Sequence, residues 1–179
     1  MLDKNALKKA FPVILLTIVV AISVNLLSFA DRLTRPQIEA QQQLKIQNLL
    51  TGMFPDMSRY DFKNDIYTIY SDGAKIGYAF IAVGKGYGGD IDILVGLEDD
   101  TTIKGISIVS HSETPGLGSR ITESFFTNQF AGLSIDEVAL KRDGGEVDAI
   151  TGSTISSRAV INAVRETAME KVKQLDGSE

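Results

Sequence analysis

From residue 10 to residue 30 the chain reads AFPVILLTIVVAISVNLLSFA, an uncharged run in which only Pro12, Asn25 and a few hydroxyls interrupt the apolar side chains. About 20 helical residues cover the roughly 30 Å hydrocarbon core of a bilayer, so the run predicts a transmembrane helix over 10–30. Pro12 falls in its first turn, where a missing N–H costs little. The run is longer than the ~7–15 apolar residues of a signal peptide, which favours a retained anchor over cleavage after Ser28-Phe29-Ala30. Asn25 is expected near the interface or against another helix. Lys4, Lys8 and Lys9 precede the run and outweigh Arg32 and Arg35 beyond it. That bias predicts a cytoplasmic N-terminus over 1–9, with everything after the anchor on the far side of a cytoplasmic or inner membrane.

Beyond the anchor the pattern changes. PQIEAQQQLKIQNLL places Ile38, Leu44, Ile46, Leu49 and Leu50 partly at helical spacing. It predicts a connecting helix within 31–55, opened by Pro36 at its first position and stopped by Gly52 and Pro55. Short β-type runs follow at 66–71, 75–84, 90–98 and 102–110, separated by Asp72-Gly73, a glycine cluster and Asp99-Asp100. Connections this short imply antiparallel hairpins. Helical spacing returns around 119–130 and again in ISSRAVINAVRETAMEKVKQL, where Ile161, Val164, Ala168, Val172 and Leu175 recur at intervals of three and four. The reading is an α+β fold: one N-terminal transmembrane helix, then an extracytoplasmic domain over 56–179 built on an antiparallel sheet with packed helices.

Composition narrows the chemistry. The 179 residues contain no Cys and one His, which removes disulfides, Cys nucleophiles and Cys-ligated metal sites. With 18 Lys and Arg against 23 Asp and Glu, the formal net charge is −5, the wrong sign for a nucleic-acid partner. Residues 31–179 alone carry 15 basic and 22 acidic side chains.

Three segments carry candidate chemistry. GKGYGG (84–89) matches G-x-G-x-x-G in form, but the strand-like DIDILVGL follows it where a dinucleotide site needs a helix. It is either a tight connection or a place where backbone approaches a ligand, with Tyr87 offering an aromatic surface. HSETPGLGSR (111–120) follows an apolar strand directly. It reads either as a capped turn or as a ligand loop, in which Leu117, Gly118 and Ser119 would present free N–H groups at the start of a helix. His111 alone supports neither a metal pair nor a catalytic triad. DAITGSTISSRAV (148–160) runs five hydroxyls around one glycine into the terminal helix. It is an elaborate N-cap or an anion site at the positive end of the helix. No Lys or His beside it in sequence activates a hydroxyl, so covalent chemistry at a Thr there calls for another enzyme.

Taken together, D-x-x-T-G-S-T, H-S-E-T-P-G-L-G and G-K-G-Y-G-G behind one anchor resemble the FMN-binding-domain family over the whole chain. Within it the chain looks like the G subunits of Rnf-type ion-translocating electron-transport complexes, and it is similar to the C subunits of sodium-translocating NADH:quinone reductases. The resemblance implies FMN joined through its phosphate to Thr154 by a separate FAD-using flavin transferase that recognises Asp148, Thr151, Gly152 and Thr154. Ser153 stands where the family usually has Ala and adds a second hydroxyl. The family's flavin-contacting segment maps to Glu113, Thr114, Pro115, Leu117 and Gly118, with Tyr87, Gly88 and Gly89 as further neighbours. The implied role is electron transfer within a membrane complex coupling ferredoxin and NAD, the catalysis belonging to the assembled complex rather than to this polypeptide. The partners implied are the complex's other membrane subunits. The alternatives are a stand-alone anchored FMN-binding or sensor domain, or the C subunit of a sodium-translocating NADH:quinone reductase.

Overall fold

A computed structural model describes residues 4–176, without the side chains of residues 4–10, 36, 39 and 176. The lysines behind the expected orientation, Lys4, Lys8 and Lys9, are therefore outside the described side chains. Contacts divide the chain into two units, residues 1–44 and 45–179.

Residues 4–44 of the first unit lie within helix α1 (Lys4–Met53). By length and composition α1 can cross a membrane. Its apolar side chains between Phe11 and Phe29 are exposed, which in water would cost free energy in proportion to their area. Its polar side chains turn back on the helix: Thr17 Oγ1 donates to the Val13 carbonyl at 2.9 Å and Asn25 Nδ2 to that of Ala21 at 2.7 Å. Self-bonding of this kind lets hydroxyl and amide groups sit in hydrocarbon at lower cost. The separate connecting helix expected to begin at Pro36 is not observed, because α1 runs unbroken through that position. A proline removes one backbone donor, and a helix this long keeps its other hydrogen bonds around it.

The second unit is a five-stranded antiparallel meander: β1 (Arg59–Lys63), β2 (Ile66–Ser71), β3 (Ala74–Lys85), β4 (Asp90–Leu97) and β5 (Ile103–His111), paired in sequence order. Alternation along the central strands sorts side chains between two cores. Tyr78, Phe80 and Ala82 of β3 and Ile91, Ile93, Val95 and Leu97 of β4 face the larger core, which is shared with Phe126, Phe130 and Val160, Ile161 and Val164 of helix α3 (Thr154–Asp176). Ala79 and Leu94 face the other side, against Leu50 and Phe54. The fold class expected from sequence is the one found.

Two elements differ from expectation. Strand β1 has no counterpart among the expected runs: all five of its residues are exposed, and its hairpin to β2 turns through Asn64 and Asp65, both at positive φ without a glycine. The region around 119–130 holds no continuous helix but 3-10 turns flanking the single turn α2 (Ser124–Thr127). Phe126 and Phe130 produce the helical spacing. Their rings meet edge-on at 5.5 Å in the core, so two anchors four residues apart mimic a longer amphipathic helix.

Candidate functional site

The turn before α3 is closed by the Ser153 N–H donating to the Ile150 carbonyl at 2.9 Å. Gly152 sits in it at φ +80°, a conformation a side chain would strain. The following hydroxyls divide their work. Ser157 Oγ accepts from the Ile150 N–H at 3.0 Å and donates to the Ser153 carbonyl at 2.9 Å, pinning the loop to the first turn of α3. Ser153 precedes the helix, where a serine hydroxyl ordinarily accepts from a first-turn N–H. Here its Oγ is buried, the residue only 6% exposed, and has no hydrogen-bond partner among the described residues. Leaving a buried hydroxyl unpaired costs about 1–3 kcal/mol, a sign that the site is built for something that supplies the missing bond.

Ser153 lies in the wall of a cavity of about 500 Å3, shared with Tyr87, Glu113, Thr114, Leu117, Gly118, Gly152, Thr154, Ile155 and Ser156. Sites for organic cofactors commonly enclose about 300–1,000 Å3. Tyr87 is 74% exposed, and Leu117 and Ile155 are also well exposed at its wall, apolar surfaces suited to a planar ring. The structure thus joins the three sequence segments in one cavity. Residues offering a hydroxyl, a helix N-terminus and apolar walls fit an FMN.

Glu113 organises this junction from inside. It is 5% exposed; its Oε1 accepts from the Gly88 N–H at 2.9 Å and its Oε2 from Ser156 Oγ at 2.6 Å. A Cβ at Gly86 would collide with Oε1 and one at Gly118 with Oε2. Those glycines make room for the carboxylate as much as for any ligand. The Glu113 N–H donates to His111 Nδ1 at 3.2 Å, giving the lone histidine a local structural bond.

The other expected residues fall outside. Gly88, Gly89, Pro115, Thr151 and Asp148 are not in the cavity wall among the described residues. Gly88 acts through its N–H on Glu113, and Gly89 closes its own turn by accepting from Gly86 N–H at 2.9 Å. The expectation of free donors at Leu117 and Ser119 is corrected: both N–H groups reach the Thr114 carbonyl at 3.2 Å, because the loop folds into a tight turn that leads into the 3-10 turn Gly118–Thr122. Asp148 lies on the surface, its Oδ2 accepting from Lys141 Nζ at 2.6 Å, while Gln129 Oε1 accepts from its N–H at 2.8 Å. That ion pair holds the Lys141 ammonium above its ordinary pKa. Ile155 and Ser156 are not among the residues expected from sequence, although both directly follow the T-G-S-T motif.

The family model of the FMN-binding domain matches residues 86–168. The G subunit of the proton-translocating ferredoxin:NAD(+) oxidoreductase complex of Clostridium ljungdahlii is 35% identical over 169 residues, covering 90% of each chain. Its counterpart in the ion-translocating oxidoreductase complex of Methanosarcina acetivorans, also a G subunit, is 31% identical over 179 residues, covering 92% of this chain and 95% of that one. The chain belongs to this family of G subunits of ion-translocating oxidoreductase complexes. Among solved structures, the C subunit of the Na(+)-translocating NADH-quinone reductase of Parabacteroides distasonis shares the fold, with a TM-score of 0.50, 26% identity, and coverage of 60% of this chain and 61% of that one.

Proposed function

We propose that this protein is the membrane-anchored electron-transfer flavoprotein subunit of an Rnf-type ion-translocating ferredoxin:NAD oxidoreductase, carrying FMN as a phosphoester on Thr154. The observation that carries the reading is the unpartnered, buried Ser153 hydroxyl beside Thr154, in a cavity at the N-terminus of α3. A phosphate esterified there gains the positive end of the helix dipole, and Ser153 Oγ in the wall of the larger cavity offers a hydrogen bond to the rest of the flavin. Tyr87, Leu117 and Ile155 supply apolar surface for the ring. Bound FMN supplies one- and two-electron redox chemistry; the polypeptide holds and orients it.

The attachment forms a bond from Thr154 Oγ1 to the FMN phosphorus of FAD and breaks the pyrophosphate, with AMP leaving and the hydroxyl proton passing to a base of the transferase. Asp148 and Thr151, outside the cavity wall, and Gly152 within it serve that enzyme's recognition. Tethering keeps the cofactor at high local concentration in a compartment where a dissociated flavin is diluted away. The domain lies outside the cytoplasm, held by α1 beside other membrane subunits of the complex.

The test is purification from native membranes in mild detergent. The expected result is flavin fluorescence that survives denaturation and stays with this chain, and co-purification with multi-span subunits. A chain without bound flavin, or one that never accompanies such partners, contradicts the proposal.

A further inference from the structure

Thr154 lines a second cavity, of about 260 Å3, shared with Lys85, Arg142, Ile155, Arg158, Ala159 and Asn162. Three cations from separate elements converge there: Lys85 ends β3, Arg142 lies in the 3-10 turn Lys141–Asp143, and Arg158 stands one helical turn after Thr154 on α3. Their neutralisation among the described residues is incomplete. Arg142 Nε and Arg158 Nη2 share a single carboxylate, Asp143, at 3.9 and 3.7 Å, and Lys85 pairs with Asp90 at 2.7 Å. Three cations against two carboxylates make this flank locally positive, although residues 31–179 carry more acid than base. Thr154 also lines the larger cavity, whose one charged wall residue, Glu113, already has both oxygens hydrogen-bonded. Thr154 and Ile155 therefore border both a basic recess and a largely apolar one.

Resting on the flavin reading above, we infer that the recess of Lys85, Arg142 and Arg158 is the subsite for the flavin's phosphate, while the larger cavity takes the ring. Guanidinium forks match phosphate oxygens in geometry and charge, and two guanidinium groups sharing one distant carboxylate have donors to spare. The cations then act on the phosphoryl group and leave ring contact to Tyr87, Leu117 and Ile155. FMN and riboflavin differ only in that phosphate, so the pair isolates the subsite.

The experiment titrates FMN and riboflavin against the full chain in detergent, made in a host without flavin transferase so that Thr154 is free. Flavin fluorescence reads binding. The expected result is an FMN preference of about tenfold, the scale of a charge-assisted hydrogen bond, shrinking as salt rises. In R142Q/R158Q the FMN affinity falls toward that of riboflavin, Lys85 alone remaining, while riboflavin's own affinity is unchanged. Both substituted arginines are about half exposed, so the variant keeps its fold, checked by circular dichroism. An FMN preference undiminished in the double variant, or none in the wild type while riboflavin still binds, overturns the subsite alone. Failure of either flavin to bind overturns the flavin cavity and the subsite with it.

Discussion

The Ser156 hydroxyl donates to Glu113 Oε2 at 2.6 Å across 43 residues of sequence, inside the core of the site. The bond ties the first turn of α3 to the loop after β5, and the other oxygen of the same carboxylate ties in the Gly88 backbone. Three segments that are separate in sequence thus share one buried acceptor. Glu113 positions the cavity wall, which it also lines.

Replacing Glu113 tests the point. Glu113→Ala leaves the Gly88 N–H and the Ser156 hydroxyl without their acceptor and should cost about 1–3 kcal/mol, with a matching fall in flavin content. Glu113→Gln keeps an amide oxygen for one of them and should cost less. Denaturant melts and flavin absorbance report both. An Ala variant as stable as the wild type, with normal flavin content, contradicts the positioning role.

Asp148 separates recognition from stability. Its ion pair with Lys141 is exposed on both sides, so removing it should change the melting temperature little. If a transferase reads the Asp148 carboxylate, Asp148→Ala lowers the flavinylated fraction several-fold, whereas Lys141→Met, which breaks the same pair, leaves loading near normal. Mass spectrometry of both variants gives the fractions. Equal loss in the two assigns the effect to the pair and not to recognition.

A pH dependence belongs to the β4–β5 turn. Asp99 Oδ1 accepts from the Thr101 N–H at 2.8 Å and the Thr102 N–H at 2.7 Å, and these bonds, the Thr101 backbone foremost, hold its carboxyl below the ordinary value of 3.8. A lowered folded-state pKa stabilises above the unfolded value, and that stability is lost as pH falls through the folded one. Asp99→Asn should therefore melt below the wild type at neutral pH, with the gap closing below pH 3.8. A gap that stays constant into acid contradicts this. Asp99 is exposed to solvent, so the gap is small.

Orientation has its own test. Protease added to intact spheroplasts should digest the domain after α1, and protection of that domain contradicts an extracytoplasmic site.

Much of this is legible along the chain because the relevant physics is local. Alternation exposes β3 and β4, Asp72-Gly73 marks the hairpin between β2 and β3, and the 3–4 spacing of Ile161, Val164 and Ala168 marks α3. The T-G-S-T and E-T-P-G-L-G segments are visible as candidate ligand loops for the same reason. Strand β1 escapes since an exposed strand carries no burial pattern and Asn64-Asp65 lacks the glycine that usually signals such a turn. The direction of Glu113 and the gathering of Lys85, Arg142 and Arg158 depend on tertiary contact. Of these only Arg158, one helical turn from Thr154, has a signal in sequence.

Covalent FMN on Thr154 is decided by the intact mass of the denatured protein from its native membrane, followed by peptide mapping. The expected mass carries an addition of roughly 438 Da, FMN less water, on the peptide containing Thr154, and the addition is absent in Thr154→Ala. That variant should keep its fold, since the helix-propensity difference between Thr and Ala is under about 1 kcal/mol. An unmodified mass in a strain with an active flavin transferase, or an adduct that fragmentation assigns to Ser153, rules out the Thr154 phosphoester.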